Sequence, residues 1–176
     1  MQVRKVPIIS SLLIALALLF GGWFLFQKVE IEEPVRTKIA QMESATLADL
    51  QITKEQMLIK LTVTKPEDFP EEYKSLENDI SGIVKNKEVI VELTNQNEEL
   101  KKVWNNGTFA LTEALELHQY SKLPALVNEW KVKNQLDLAL TSMDKSNIYI
   151  FLKRGSDEFY TIVPREQQES EVNARG

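Results

Sequence analysis

The 176-residue chain has no cysteine and a single histidine, His118. Without cysteine there is no disulfide, no thiolate nucleophile or metal ligand and no lipid-modified thiol, so an exported domain of this sequence must be stable through packing alone. With one histidine, the usual general base of nucleophilic catalysis has one candidate. No G-x-S-x-G elbow accompanies it, and its place on the apolar stripe of an expected helix reads as structural. A mostly carboxylate metal site is what remains, yet no D-x-D-x-D-G loop is present. Glycine is equally sparse, at six residues, and Gly82, Gly107 and Gly155 stand isolated, so no phosphate-cradling loop forms. The acid pairs Glu71-Glu72, Glu98-Glu99 and Asp157-Glu158 sit at expected helix starts and turns, where the helix dipole and solvent account for them. Acid–base catalysis needs two acids in unlike environments, which such pairs do not supply. The expectation is a protein with no catalytic, cofactor-binding or metal residues.

Acidic residues are absent from the N-terminal segment: the first is Glu30. From Val6 to Phe26 the chain reads VPIISSLLIALALLFGGWFLF without a charge, close to the roughly 20 apolar residues needed to cross a bilayer core of about 30 Å. Arg4, Lys5 and the amino terminus precede it, and Lys28, Glu30, Glu32 and Glu33 follow, so the positive side is the N-terminal one and the domain is expected outside the cytoplasm. Trp23 and Phe26 suit an interfacial anchor. A cleaved signal would need small residues after the apolar run. Here the bulky Trp23-Phe24-Leu25-Phe26 follows instead, which favours an uncleaved signal anchor.

Beyond the anchor lie all 26 acidic residues, against the 18 basic ones left when Arg4, Lys5 and Lys28 are set aside, a net −8. Such a domain is repelled by nucleic-acid phosphates and anionic headgroups, so no nucleic-acid partner is expected. Export without cysteine, together with abundant Lys and Glu, suits the outer face of a bacterial cytoplasmic membrane. The triplet Asn106-Gly107-Thr108 is formally a glycosylation acceptor, unused in that setting.

Val35, Ile39 and Met42 at helical spacing predict a stalk helix. From Thr46 the period becomes two: Ala48, Leu50 and Ile52, then Met57, Ile59, Leu61 and Val63, separated by Thr53 to Gln56, predict a hairpin. Pro70 with Glu71 and Glu72 starts a helix whose stripe is Tyr73, Leu76, Ile80, Ile83 and Val84. After Asn86-Lys87, Val89 to Leu93 is a strand. Asn95 or Asn97 caps a long helix striped by Leu100, Val103, Trp104, Gly107, Leu111, Ala114, Leu115 and His118. A shorter helix from Pro124 carries Leu123, Leu126, Val127 and Trp130. Three strands close the chain, on Leu136 to Leu140, Ile148 to Leu152 and Phe159 to Val163, as a meander.

The expected fold class is α+β, an N-terminal transmembrane helix followed by antiparallel or mixed sheet packed with helices. Its organisation is a cytoplasmic N-terminus over residues 1–5, a transmembrane anchor over 6–27, a juxtamembrane helical stalk over 28–45 and an extracytoplasmic domain over 46–164. That domain has sub-units 46–94 and 95–164, and a disordered tail over 165–176 follows. The strand, strand, helix, strand order of 46–94 resembles the small α+β modules of membrane-tethered bacterial assembly proteins, including the ring-building modules of sporulation and secretion machinery.

On the strand from Ile148, a period of two puts Tyr149 and Phe151 opposite Ile148, Ile150 and Leu152. Tyr160 joins them if the next strand is in register. If that face is bare, the three aromatics form a partner-binding patch; if helices cover it, they are core. The functional expectation is a membrane-anchored interaction or scaffold protein of a bacterial envelope assembly, docking through that patch or by strand addition at a sheet edge. The alternatives are an extracytoplasmic sensor binding a peptide or envelope fragment between the two units, and, more remotely, an envelope hydrolase.

Overall fold

The computed structural model describes residues 5–84 and 87–165, and within the first helix it describes side chains for residues 11–22. Among the described residues it is an α+β fold with five α-helices and two three-stranded sheets. The chain runs α1 (Lys5–Gln27), a π-helical turn (Lys28–Glu32), α2 (Glu33–Ala40), β1 (Ala45–Ile52), β2 (Gln56–Val63), α3 (Phe69–Ile83) and β3 (Glu88–Leu93). Then follow α4 (Glu98–Glu116), a 3-10 turn (Tyr120–Lys122), α5 (Leu123–Lys133), β4 (Leu138–Met143), β5 (Asn147–Arg154) and β6 (Asp157–Pro164).

The first sheet has the order β1-β2-β3, with β1 antiparallel and β3 parallel to β2. Parallel pairing follows from the α3 crossover, because a strand that returns through a helix starts again at the same end of the sheet. A bulge between Leu47 and Asp49 shifts the β1 register. It leaves Ala48 exposed and turns Leu47 inward, so the expected alternation through Ala48 breaks there. The second sheet is the expected antiparallel meander β4-β5-β6. Gly155, with φ +59°, makes the β5–β6 turn in the left-handed region that glycine enters without strain.

Two cores divide the molecule. One gathers Val35 and Ile39 of α2, Met57, Ile59, Leu61 and Val63 of β2, Phe69, Tyr73, Leu76 and Ile80 of α3, and Tyr149, Phe151 and Tyr160 of the second sheet. The other gathers Leu100, Val103 and Leu111 of α4, Val127 and Trp130 of α5, and Ile148, Ile150, Leu152 and Phe159 from the opposite face of that sheet. Gly107 lets α4 approach α5: a Cβ there would lie 2.3 Å from the Trp130 ring. The helix runs through it without interruption, and its cap is Asn97, whose Oδ1 accepts from the N–H groups of Glu99 and Leu100 at 3.0 and 3.2 Å.

Asn95 joins the two sheets. Its Oδ1 accepts from Val63 N at 2.8 Å, and its Nδ2 donates to Val63 O at 3.0 Å and to Glu158 Oε2 at 2.9 Å. Its own carbonyl accepts from Tyr160 N at 2.8 Å. Gln96 then bridges to Phe159, which covers part of the β6 edge.

The stalk expectation is corrected. Residues 28–40 are helical, but Val35 and Ile39 are fully buried in the first core, so α2 is part of the domain. Ile31 of the π-helical turn, partly buried, packs against the same core. Arg165 is corrected as well. Expected in the tail, it instead donates its N–H to Ser146 O at 2.7 Å and its Nη1 to Asp144 O, with its guanidinium 4.4 Å from the Tyr120 ring centroid.

Among the described residues no helix is long and apolar enough to cross a membrane. Residues 1–4 of the expected cytoplasmic end, the Trp23 and Phe26 side chains, Asn86 of the expected turn, and residues 166–176 of the expected tail lie outside what is described.

Candidate functional site

On the covered face of the first sheet, α2 packs against β1 and α3, while α3 lies over the interior of the sheet. The β3 side keeps less cover: Met57 of β2 is fully buried, whereas Val89, its register partner on β3, is 37% exposed. Between α3 and β3 runs a groove of about 230 Å³. Its helical wall is Tyr73, Leu76, Glu77, Ile80 and Ser81, the i, i+3, i+4, i+7, i+8 stripe of one helix face, and its strand wall is Val89 and Val91, two residues apart on one side of a pleat. Apolar walls with two polar groups at one side suit an apolar side chain.

Among the described residues the outer side of the β3 backbone, beside this groove, has no strand partner. Glu88 N donates to Glu55 O at 3.0 Å and Thr94 N to Leu61 O at 2.9 Å. In a parallel ladder alternate residues turn their N–H and C=O to the same neighbour. Ile90 and Glu92 therefore bond β2, and the N–H and C=O groups of Val89 and Val91 point away from it. Among the described residues no strand pairs with that side of β3. Two of the three other edge strands are interrupted, β1 by its bulge and β6 by Gln96, whose side chain also donates to Tyr160 O at 2.7 Å; β4 is the remaining edge strand.

Glu77 brings a charge to the groove wall. Burial lifts its carboxyl above the usual glutamate range, against hydrogen bonds from Tyr73 and Asn147, and nearby Asp144 lifts it further. Asn147 Nδ2 donates to Glu77 Oε2 at 3.3 Å. Among the described residues no lysine or arginine forms an ion pair with Glu77. Asp144 moves the other way. Burial alone would raise it, but the N–H groups of Ser146 and Asn147 and the Tyr149 hydroxyl, donating at 2.7, 2.7 and 2.8 Å, hold it below its ordinary value. Burial pushes the Tyr73 and Tyr149 phenols far up, so both stay neutral donors.

The expected aromatic patch is overturned as a surface. Tyr149, Phe151 and Tyr160 do share one face, and Phe151 pairs with Tyr160 in the ladder. They are, however, only 1, 3 and 1% exposed, because the start of α3 covers them. Phe69 lies 5.1 Å from Tyr160 and 6.3 Å from Tyr149, and Tyr73 lies 6.0 Å from Tyr149, ring centre to ring centre. The unbroken apolar run Ile148 to Leu152 carried the signal: a strand apolar on both faces is covered on both. His118 is also displaced from its expected place. Helix α4 ends at Glu116, and His118 follows it, exposed, with φ +53° and Nδ1 3.4 Å from the Tyr120 hydroxyl.

Two further clefts each contain ion-paired side chains among their lining residues. One of about 360 Å³ between the β2–α3 loop and the second sheet is lined by Lys65, Glu67, Asp68, Leu138, Phe151, Lys153 and Glu158. There Lys153 meets Glu158 at 2.8 Å and Lys65 meets Glu43 at 2.9 Å. A smaller one of about 110 Å³ lies where α2 meets α3, beside the 3.0 Å Lys38–Asp79 pair. Among the described residues no three His, Asp or Glu side chains are grouped to hold a metal ion.

Compared with known proteins, the chain matches no family model, no curated protein and no solved structure.

Proposed function

We propose that this chain is a membrane-anchored, non-enzymatic interaction protein of a bacterial envelope assembly, which docks an extended segment of a partner by strand addition at β3. The observation that carries the docking reading is the free β3 edge beside an apolar groove. An added strand would satisfy the outward N–H and C=O groups of Val89 and Val91 and place an apolar side chain between α3 and β3. Strand addition is also the remaining half of the sequence expectation, since the aromatic patch lies inside the core.

The anchor reading rests on the uncharged run from Val6 to Phe26 and the positive flank before it. Its support in the fold is that Leu12, Leu13, Ile14, Leu18, Leu19 and Phe20 of α1 are 59 to 72% exposed, an apolar surface that water does not favour. The domain then lies outside the cytoplasm, close to the outer leaflet.

Two experiments test these parts. Membrane fractionation, with protease added to intact spheroplasts, should recover the chain with the membrane and digest its domain from outside; a domain protected until lysis contradicts the topology. For docking, Val91→Pro is the informative variant. Its N–H points away from β2, so the ladder survives, but the edge loses a donor and gains a ring. A folded Val91→Pro chain should lose the partner recovered with wild type from detergent extracts.

The 360 Å³ cleft between the two units favours a second reading, a sensor that binds a small envelope fragment there. Leu138→Trp would then abolish binding of the fragment and leave strand addition at β3 intact.

A further inference from the structure

We infer that the segment accepted by β3 is an amphipathic strand that alternates apolar with basic side chains. This rests on the docking reading above and deepens it by naming the chemistry of the occupant. The two faces of β3 differ sharply. Val89 and Val91 line the groove under α3, while Glu88 and Glu92 stand on the opposite face, which is open to solvent. A strand laid against this edge continues the pleat, so its residues alternate between the groove and the Glu88–Glu92 face. The groove side takes apolar residues. The open side takes cations, because opposite charges directly across a ladder stabilise the pair and like charges destabilise it.

The existing neighbours leave room for such cations. Glu92 meets Lys60 of β2 at 3.5 Å, with its side chain half exposed, and Glu88 stands opposite the uncharged Gln56. On the groove wall Glu77 has no ion pair among the described residues, so a long basic side chain at the groove rim would find a carboxylate there too. The exported region's net −8 draws a basic segment in from a distance.

A second copy of this chain fits less well. Antiparallel self-pairing of β3 about Ile90 would set Glu88 against the copy's Glu92 twice, with no cation between them. The occupant to which the edge is complementary is therefore a basic and apolar strand of a different protein.

The test uses the full chain in detergent micelles and three short synthetic peptides that alternate valine with lysine, with serine or with glutamate. Binding is followed by fluorescence anisotropy. The lysine peptide should bind roughly tenfold more tightly than the serine peptide, the gain expected from two cross-strand ion pairs. The glutamate peptide should bind least. Glu88→Gln with Glu92→Gln should erase the lysine preference and leave serine-peptide binding unchanged, and Val91→Pro should abolish all three. Equal binding of the three peptides, lost in Val91→Pro, overturns the basic preference while strand addition stands. Lysine-peptide binding that is indifferent to Val91→Pro, or no binding at all, overturns the docking reading itself. A concentration-dependent dimer that Val91→Pro dissolves makes the occupant a second copy and overturns the inference.

Discussion

β5 and β3 are both short apolar strands in three-stranded sheets, and they differ in what surrounds them. β5 lies between β4 and β6 and between two cores, so every residue from Asn147 to Leu152 is buried. β3 has one neighbour, one covered face and an open groove beside it, and its residues are half-buried or exposed. β5 carries Ile148, Tyr149, Ile150, Phe151 and Leu152 in one unbroken run, whereas in β3 the apolar Val89, Ile90 and Val91 lie between Glu88 and Glu92. Burial is set by how many elements the chain supplies around each strand. The second sheet has helices α4 and α5 on one face and α3 reaching the other, whereas two helices share one face of the first sheet and leave its β3 side thinly covered.

The largest effect should come from breaking the covered strand. Tyr149→Ala removes a fully enclosed ring that touches Phe69 and Tyr73 and takes the hydroxyl donor from Asp144. It should cost about 3–5 kcal/mol in urea unfolding. Val89→Ala, at a position 37% exposed, should cost less than about 1 kcal/mol. Similar losses at the two sites would remove the distinction between the strands.

Next comes the joint between the sheets. Asn95→Ala strips the partners from both Val63 backbone groups and one from Glu158, and should cost about 1–3 kcal/mol, the range for leaving buried polar groups unpaired. The same substitution should raise the amide exchange of β2 and β6 together. Exchange confined to one sheet would show that Asn95 does not couple them.

The smallest effects are electrostatic and opposite in sign. Glu72 is held below the usual glutamate range, first by the Ser44 hydroxyl and, against some desolvation, by the N–H groups of Ser44 and Glu43. Its contribution is present above the ordinary glutamate pKa and is lost as pH falls through the depressed value. Glu72→Gln should therefore destabilise at neutral pH and converge on wild type in acid. Glu77 is raised, chiefly by burial, so it favours the folded state at low pH and loses that contribution as pH rises through its elevated value. Glu77→Gln should thus be neutral or mildly stabilising at pH 7. Thermal melts across pH, compared with wild type, check both directions.

Much of the fold was legible in periodicity. The 3.6-residue stripes on Tyr73 to Ile83 and Leu100 to Ala114 lie on α3 and α4, and the alternating runs from Met57, Ile148 and Phe159 lie on β2, β5 and β6. The faces of Tyr149 and Phe151 came from the same period, because side-chain direction in a strand is local. Their burial did not, since it depends on Phe69 and Tyr73 arriving from a helix about 80 residues away in sequence. The bulge at Ala48 and the switch of Asn95 from helix cap to sheet joint are likewise set by tertiary pairing. The groove was illegible for a related reason: Glu77, Ser81, Val89 and Val91 belong to two elements, and only the crossover brings them together. What the sequence carried of it was the outward charge on Glu88 and Glu92 around Val89 and Val91, a strand polar on one face alone.

The central claim, that β3 offers a free edge while β5 does not, is tested most directly by residue-resolved amide hydrogen exchange on the full chain, with and without the lysine–valine peptide. Alone, Val89 and Val91 should exchange much faster than Ile90 and Glu92, whose N–H groups bond β2, while the β5 amides are protected throughout. Peptide should slow Val89 and Val91 and leave β5 unchanged. Val89 and Val91 amides already protected in the free chain, or indifferent to saturating peptide, would contradict the account.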